Sequence, residues 1–355
     1  MNSCRYPSSI KTVDVPPILN VMYKRRETNK NRAGWIMKKA ALWAGIAVVV
    51  IAVFFCGICS AQEKPFPTRQ ITYTICFDPG GQSDRVARMQ QPHLSRLFKQ
   101  KVIIDYKVGG GGALGWKELA RSKPDGYTVA GFNVPHIILQ PMQQEVGYKT
   151  EQIVPIVIFQ RTPLALTVLK TSNIKSLQEF IDQAKKSPGK TTVGGSGTFS
   201  GYHMATLRFE KMTGAKVTYV PFTGTAPQMT AFLGGHIDAI FGTSDDLTRY
   251  KDKVRVFAFA TDKRFPEFPE VPTFRELKYD FVEVVDRGVA CPPKTPPYIM
   301  KKLEAVYLEV SKLPEIGSQM KRDGFIPISM GVEESRAYIA RMTQVYKELV
   351  AGLKK

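Results

Sequence analysis

Ile71-Thr-Tyr-Thr-Ile-Cys-Phe-Asp-Pro-Gly-Gly-Gln-Ser-Asp84 is the stretch that decides the fold. Ile71–Cys76 is a short run of β-branched and apolar residues, which reads as a strand. Asp78-Pro79-Gly80-Gly81 breaks it, and a helix is predicted from about Ser83, with Val86, Met89, Leu94 and Leu97 on one face. A strand that runs through a glycine turn into a helix is the unit of α/β folds.

The same unit recurs outward from that point. Val102–Tyr106 and Tyr127–Gly131 read as further strands. Thr191–Gly194 is a strand that leads through Gly194-Gly-Ser-Gly-Thr-Phe-Ser-Gly201 into a helix striped by Tyr202, Ala205, Phe209 and Met212. Val217–Val220, a helix near Ala226–Leu233 and the strand Asp238–Phe241 follow, and Tyr338, Met342, Val345 and Leu349 recur at helical spacing. Two sets of units, near 70–132 and 190–242, predict two lobes, each a mostly parallel sheet flanked by helices. In open α/β sheets ligands bind where loops leave the carboxyl ends of strands, so the predicted site is a cleft between the lobes.

Two loops carry the chemistry. In Phe77-Asp-Pro-Gly-Gly-Gln-Ser-Asp84 adjacent glycines uncover backbone N–H groups at the positive end of a helix, which suits an anion, with Ser83 as a hydroxyl donor. A plain turn with Ser83 as helix cap is the equally simple reading of that loop alone. Gly194–Gly201 repeats the design. Gly110-x-Gly112-x-x-Gly115 matches a dinucleotide fingerprint only in its glycines, without the downstream acid, and no Walker lysine exists. Ser196 lacks the final glycine of a nucleophile elbow, because position 198 is Thr. A Ser196 or Ser200 nucleophile with His203 is the enzyme alternative, in an exported hydrolase.

The amino end stands apart. Lys38-Lys39 precede an apolar run from Ala40, and Cys59-Ser60-Ala61 offers small residues to a signal peptidase. Residues 37–61 therefore read as a signal peptide cleaved after Ala61; the rival reading is an uncleaved anchor, which would make the protein a membrane-tethered sensor or adaptor. Residues 1–36 read as an extension upstream of the conventional start at Met37, or else as a cytoplasmic tail. The chain carries 50 basic and 31 acidic residues; nine and two of them lie in 1–61, so 41 against 29 remain beyond it. A basic exported protein without basic runs interleaved by aromatics points to small anions rather than nucleic acid. Cys76 and Cys291, the two cysteines beyond 61, do not make a disulfide framework. The scattered His93, His136, His203 and His236 show no metal-ligand spacing.

Several blocks in order resemble one family, the periplasmic receptors of tripartite tricarboxylate transporters (the TctC or Bug receptors). They are Phe66-Pro-Thr-Arg-Gln-Ile71, Pro79-Gly-Gly-Gln-Ser-Asp84-x-x-Ala-Arg88, Gly109-Gly-Gly-Gly-Ala-Leu-Gly115 and Lys123-Pro-Asp-Gly-Tyr-Thr128. Val220-Pro-Phe-Thr-Gly-Thr-Ala-Pro227, Leu233-Gly-Gly-His-Ile-Asp238, Arg264, Pro269–Phe274 and Pro292–Pro296 continue the order. The resemblance implies a two-lobed periplasmic binding fold, with residues 66–168 plus 291–355 in one lobe and 169–290 in the other. It implies a receptor without catalysis, cofactor or metal, acting as a monomer on a di- or tricarboxylate, aromatic acid or amino acid, with integral membrane subunits as partners. A ligand carboxylate is expected between the amino ends of two helices, partly through ordered water. The residues this assigns to the ligand are Phe77, Asp78, Gly81, Gln82, Ser83 and Asp84 in the first loop and Ser196, Thr198, Phe199, Ser200, Gly201 and His203 in the second. Asn133, Phe222, Thr223, Thr243 and Asp245 furnish the remaining wall. Asp78, Gln82, Thr223 and Asp286-Arg287 depart from the family pattern, and an added carboxylate at Asp78 argues against assuming a citrate-like ligand.

Overall fold

The computed structural model describes residues 65–353, together with Trp35 and Trp43, two exposed helical residues. The chain divides into the units Met1–Lys64 and Pro65–Lys355. The signal-peptide, anchor and upstream-extension readings of 1–61 lie outside the described residues. Among the described residues no helix is long and apolar enough to cross a membrane.

Strand β1 (Ile71–Ile75) pairs in parallel with β2 (Val102–Tyr106) and β3 (Thr128–Val134). The crossovers are α1 (Gln82–Phe98) and α2 (Ala113–Arg121), and α3 (His136–Gln143) follows β3. The second half repeats the scheme with α4 (Leu177–Lys186), β5 (Thr192–Ser196), α5 (Gly201–Thr213), β6 (Thr218–Phe222), α6 (Thr225–Leu233) and β7 (Ala239–Thr243). There β5 pairs in parallel with β6 and β7.

Antiparallel strands join the two halves. β4 (Val154–Leu169) is sixteen residues long, and between Val154 and Pro163 it pairs with β9 (Val284–Cys291), with irregularities at Ile156 and Phe159. From Leu164 onward it pairs with β7 and with β8 (Val254–Phe259). The ladder runs β2-β1-β3-β9-β4-β7-β5-β6, and β8 and β10 (Ile326–Met330) also pair with β4. The sheet is thus parallel within each half and antiparallel at the join. Helix α7 (Ser244–Arg249) follows β7; α8 (Pro297–Ser311), α9 (Pro314–Arg322) and α10 (Val332–Leu353) complete the chain.

Period-two alternation along β4 distributes its side chains among separate cores. Phe159 packs with Ile71, Tyr73 and Leu303, whereas Ile158 packs with Trp116, Phe132 and Tyr338. Farther on, Leu164 and Leu166 join Phe209 and Phe241, and Ala165 faces Phe232 and Phe259. Trp116 is fully buried, and its indole N–H donates to the Gly131 carbonyl at 2.9 Å. The C-terminal helix also reaches the second half. The Tyr346 hydroxyl donates to Glu283, which accepts from Arg208 of α5 at 2.6 Å on its other oxygen. Cys76 and Cys291 are both buried and unbridged, in different cores.

Candidate functional site

The first loop follows β1 as the sequence predicts, and α1 starts at Gln82, one residue before Ser83, with Gly81 as a cap that offers no side chain. Gly80 takes φ +75, the left-handed region where glycine avoids the Cβ clash. Asp84 holds the turn: it accepts from the Gly80 N–H at 2.8 Å, from Arg88 at 2.9 Å and from the Tyr106 hydroxyl at 2.6 Å. Phe77 is buried with its ring edge-on to Trp116 and to His136. Asp78 has one carboxylate oxygen buried without a partner among the described residues, beside the backbone of Gly224.

Gln82 and Arg85 bring this loop against the second half of the chain. The Gln82 backbone N–H donates to Thr225 Oγ1 at 3.2 Å, at the start of α6. The Gln82 side-chain amide donates to Asp245 of α7 and, at 3.3 Å, to Thr162 of β4. One helical turn on, Arg85 bonds Asp245 and Asp246. Burial and the neighbouring Asp245 push the Asp246 carboxyl up to about 7, against the opposing pull of Arg85 and the Thr243 hydroxyl.

The second loop leaves β5 at Ser196, and α5 begins at Gly201. Ser200 caps it: its Oγ accepts from the His203 N–H at 3.3 Å and donates to the Gly197 carbonyl at 2.9 Å. The His203 ring accepts from the Phe199 N–H on Nδ1 and stacks on Tyr219 at 4.4 Å. Burial lowers its pKa. The Ser200 hydroxyl and the His203 ring are each engaged with the loop backbone and not with one another, so the geometry builds a helix cap rather than a nucleophile–base pair. Gly201 lies close under Pro135 and Val285, where a Cβ would stand 3.1 Å from each.

The glycine turn after β2 meets this loop directly. A Cβ on Gly111 (φ +62) would stand 2.9 Å from the Gly197 Cα, and the buried Gln140 amide holds the Gly110 and Gly111 carbonyls at 3.1 and 3.0 Å. The other two glycines of that fingerprint serve packing, since Cβ atoms on Gly112 and Gly115 would strike Trp116 and Cys76.

The predicted site residues therefore gather in three places. Gln82, Ser83, Asn133, Thr243 and Asp245 belong to the polar junction of β3, β4, β9, α1 and α7. Thr198, Phe222 and Thr223 line a cavity of about 290 Å³ with Gly111 and Gly197. Phe199, Ser200 and His203 line a separate one of about 200 Å³ with Leu139, Met204 and Val350. Ser196 is buried at the end of β5. A larger cavity, about 850 Å³ between α3, β4 and α10, contains none of the predicted residues.

The junction also holds groups that sequence reasoning did not assign to the site. On β9 the alternation turns Asp286 and Arg287 to opposite faces. Asp286, fully buried, is clamped by Arg161 through two hydrogen bonds of 2.8 Å and by the Tyr338 hydroxyl of α10. Arg287 is buried and donates to Ser83 Oγ at 3.4 Å and to Thr162 Oγ1 at 3.3 Å. Around it lie three groups with buried polar atoms that lack a hydrogen-bond partner among the described residues, Gln82 Oε1, Gln160 Oε1 and both ring nitrogens of His136, while the Tyr202 hydroxyl stands against the Arg287 guanidinium itself. Burial, and secondarily Arg287, lower the His136 pKa to about 3, so that ring is neutral. No group of metal-binding residues occurs among the described residues. The departure noted at Asp286-Arg287 was the available signal, but only the folded strand shows that Arg287 meets Ser83 and Thr162 while Asp286 meets Arg161 and Tyr338.

Comparison with known proteins agrees with this architecture. The family model for the tripartite tricarboxylate transporter family receptor matches residues 86–354. Protein BugT of Bordetella pertussis is 28% identical over 320 residues, covering 87% of this chain and 98% of its own. A solved periplasmic transporter shares 27% identity at a TM-score of 0.76 over 81% of this chain and 98% of that one. A solved TctC solute-binding protein from Polaromonas shares 28% identity at a TM-score of 0.60, over 81% and 100%.

Proposed function

The chain belongs to the tripartite tricarboxylate transporter receptor family, and from that premise we propose that it is a periplasmic solute-binding receptor. It captures one small organic carboxylate by lobe closure and delivers it to the integral membrane subunits of a tripartite transporter. The lobes of this reading are 66–168 plus 291–355 and 169–290, joined along β4; β9, which runs up to that boundary, pairs with β3 and β4.

The observation that supports this reading is the polar junction itself. Elements of both halves meet there through Gln82, Arg85, Asp245 and Thr225, and buried polar atoms remain unpartnered beside them. A contact built only for stability would be apolar or fully hydrogen-bonded, because an unpaired buried polar group costs about 1–3 kcal/mol. Such groups suit a ligand that completes them. The first-loop glycines and the α1 amino end add a positive field that favours an anion.

Isothermal titration of the purified protein against mono-, di- and tricarboxylates, aromatic acids and amino acids tests the proposal. A saturable one-to-one heat from a carboxylate, with the compound recovered unchanged, is expected. Conversion of the compound would restore the hydrolase reading, and absence of any carboxylate binding would refute the receptor.

A further inference from the structure

Arginines near the junction are matched to carboxylates, with one exception. Arg161 has Asp286, Arg208 has Glu283, and Arg85 has Asp245 and Asp246. Arg287 is only 4% exposed, yet the ion pairs of the described residues near it use Arg85, Arg161 and Arg208, and none of them includes Arg287. Its partners are neutral hydroxyls: Ser83 and Thr162 at a long 3.4 and 3.3 Å, and Tyr202. A buried charge is tolerated where it is paired, and an isolated one is expensive. A folded chain keeps such a cation where an anion from outside completes it.

We propose that Arg287 is the anchor for the ligand carboxylate, and that the ligand carries one buried carboxylate together with hydroxyl or amino donors. The assignment rests on the receptor reading and deepens it. A planar guanidinium binds a carboxylate through two parallel N–H···O bonds, a geometry that hydroxyl partners leave unused. The neighbours set the rest of the ligand. Gln82 spends its amide N–H groups on Asp245 and Thr162, and its Oε1, left buried, is an acceptor that calls for a donor. His136 is neutral, and Tyr202 brings a hydroxyl, so neither offers charge to a second carboxylate. A second buried carboxylate would meet acceptors rather than a cation, which disfavours malate-like and citrate-like acids. Ser83 of the first loop and Thr162 of β4 hold the guanidinium in place from two sides.

Thermal denaturation of the full-length protein and its Arg287→Met and Arg287→Gln variants tests this, with and without carboxylates. The probes are hydroxy- and amino-monocarboxylates (glycerate, quinate, serine), propionate as a donor-free control, and malate and citrate. A residue that only braces Ser83 and Thr162 would lower the melting temperature when removed. An uncompensated buried cation instead makes ligand-free Arg287→Met melt higher, by about 3 °C or more. The probes with donors are expected to stabilise the wild type above propionate, malate and citrate, and to lose at least tenfold in affinity in both variants. A lower melting temperature in Arg287→Met, an undiminished response in the variants, or a preference for citrate would overturn the assignment. A wild type that responds to no carboxylate would overturn the receptor reading beneath it, a failure visible before any variant is made.

Discussion

Gly111 and Gly197 meet backbone to backbone across the two halves of the sheet, each without room for a Cβ: one added to either would fall 2.9–3.1 Å from the other's Cα. Both carry positive φ, +62 and +80, so a side chain would be strained as well as crowded.

Gly111→Ala is expected to hold the halves apart and weaken carboxylate binding by about tenfold or more, equivalent to roughly 1.4 kcal/mol. The left-handed conformation adds about 1–2 kcal/mol of destabilisation. Titration calorimetry beside circular dichroism separates the two effects. Unchanged affinity would mean that this contact is not part of the closed, ligand-binding state.

Asp246 ties stability to pH. Its folded pKa, about 7, lies above the ordinary 3.8, chiefly through burial and then through Asp245. Between those values the folded state binds more protons at this group than the unfolded chain does, so stability falls as pH rises and the full penalty is present above about 7. Asp246→Asn is expected to melt higher than the wild type at pH 8 and to converge with it near pH 4. A melting-temperature profile parallel to the wild type's from pH 4 to 8 would contradict this.

Ser200 is a helix cap by its geometry. Ser200→Ala is expected to cost about 1 kcal/mol, as N-cap losses do, which is roughly 2–4 °C in melting temperature. Ser200→Asp, which can still accept the His203 N–H, is expected to recover most of it. Equal losses in both variants would remove the cap assignment.

Cys76 and Cys291 sit in separate cores, and burial raises the pKa of both thiols, that of Cys291 to about 11. Only the thiolate attacks alkylating reagents. Both are expected to resist iodoacetamide at pH 7.5 in the native protein and to react within minutes in denaturant. Rapid native labelling of either would contradict its burial.

Much of the fold was legible in the sequence because glycine and proline punctuate it. β1, β2, β5 and β6 stand within two residues of their predicted ends, and the predicted α1 start is one residue late. The antiparallel join was not legible. β4 mixes Pro155, Gln160, Arg161 and Pro163 into an apolar run, and β9 carries Asp286-Arg287 at its middle. Polar residues inside a strand are the signature of a loop until pairing buries them. The two anion loops could be read from their glycines. The gathering of the first loop with Thr162 and Arg287 could not, because it depends on where β4 leaves one half and enters the other.

Hydrogen–deuterium exchange with and without a bound carboxylate tests the central claim most directly, since both loops must respond to one ligand. The account predicts simultaneous protection of Asp78–Ser83 and Gly194–Gly201, with β9 around Arg287 protected alongside them. Protection confined to one loop, or found instead at the Arg336–Lys347 face of α10, would contradict it.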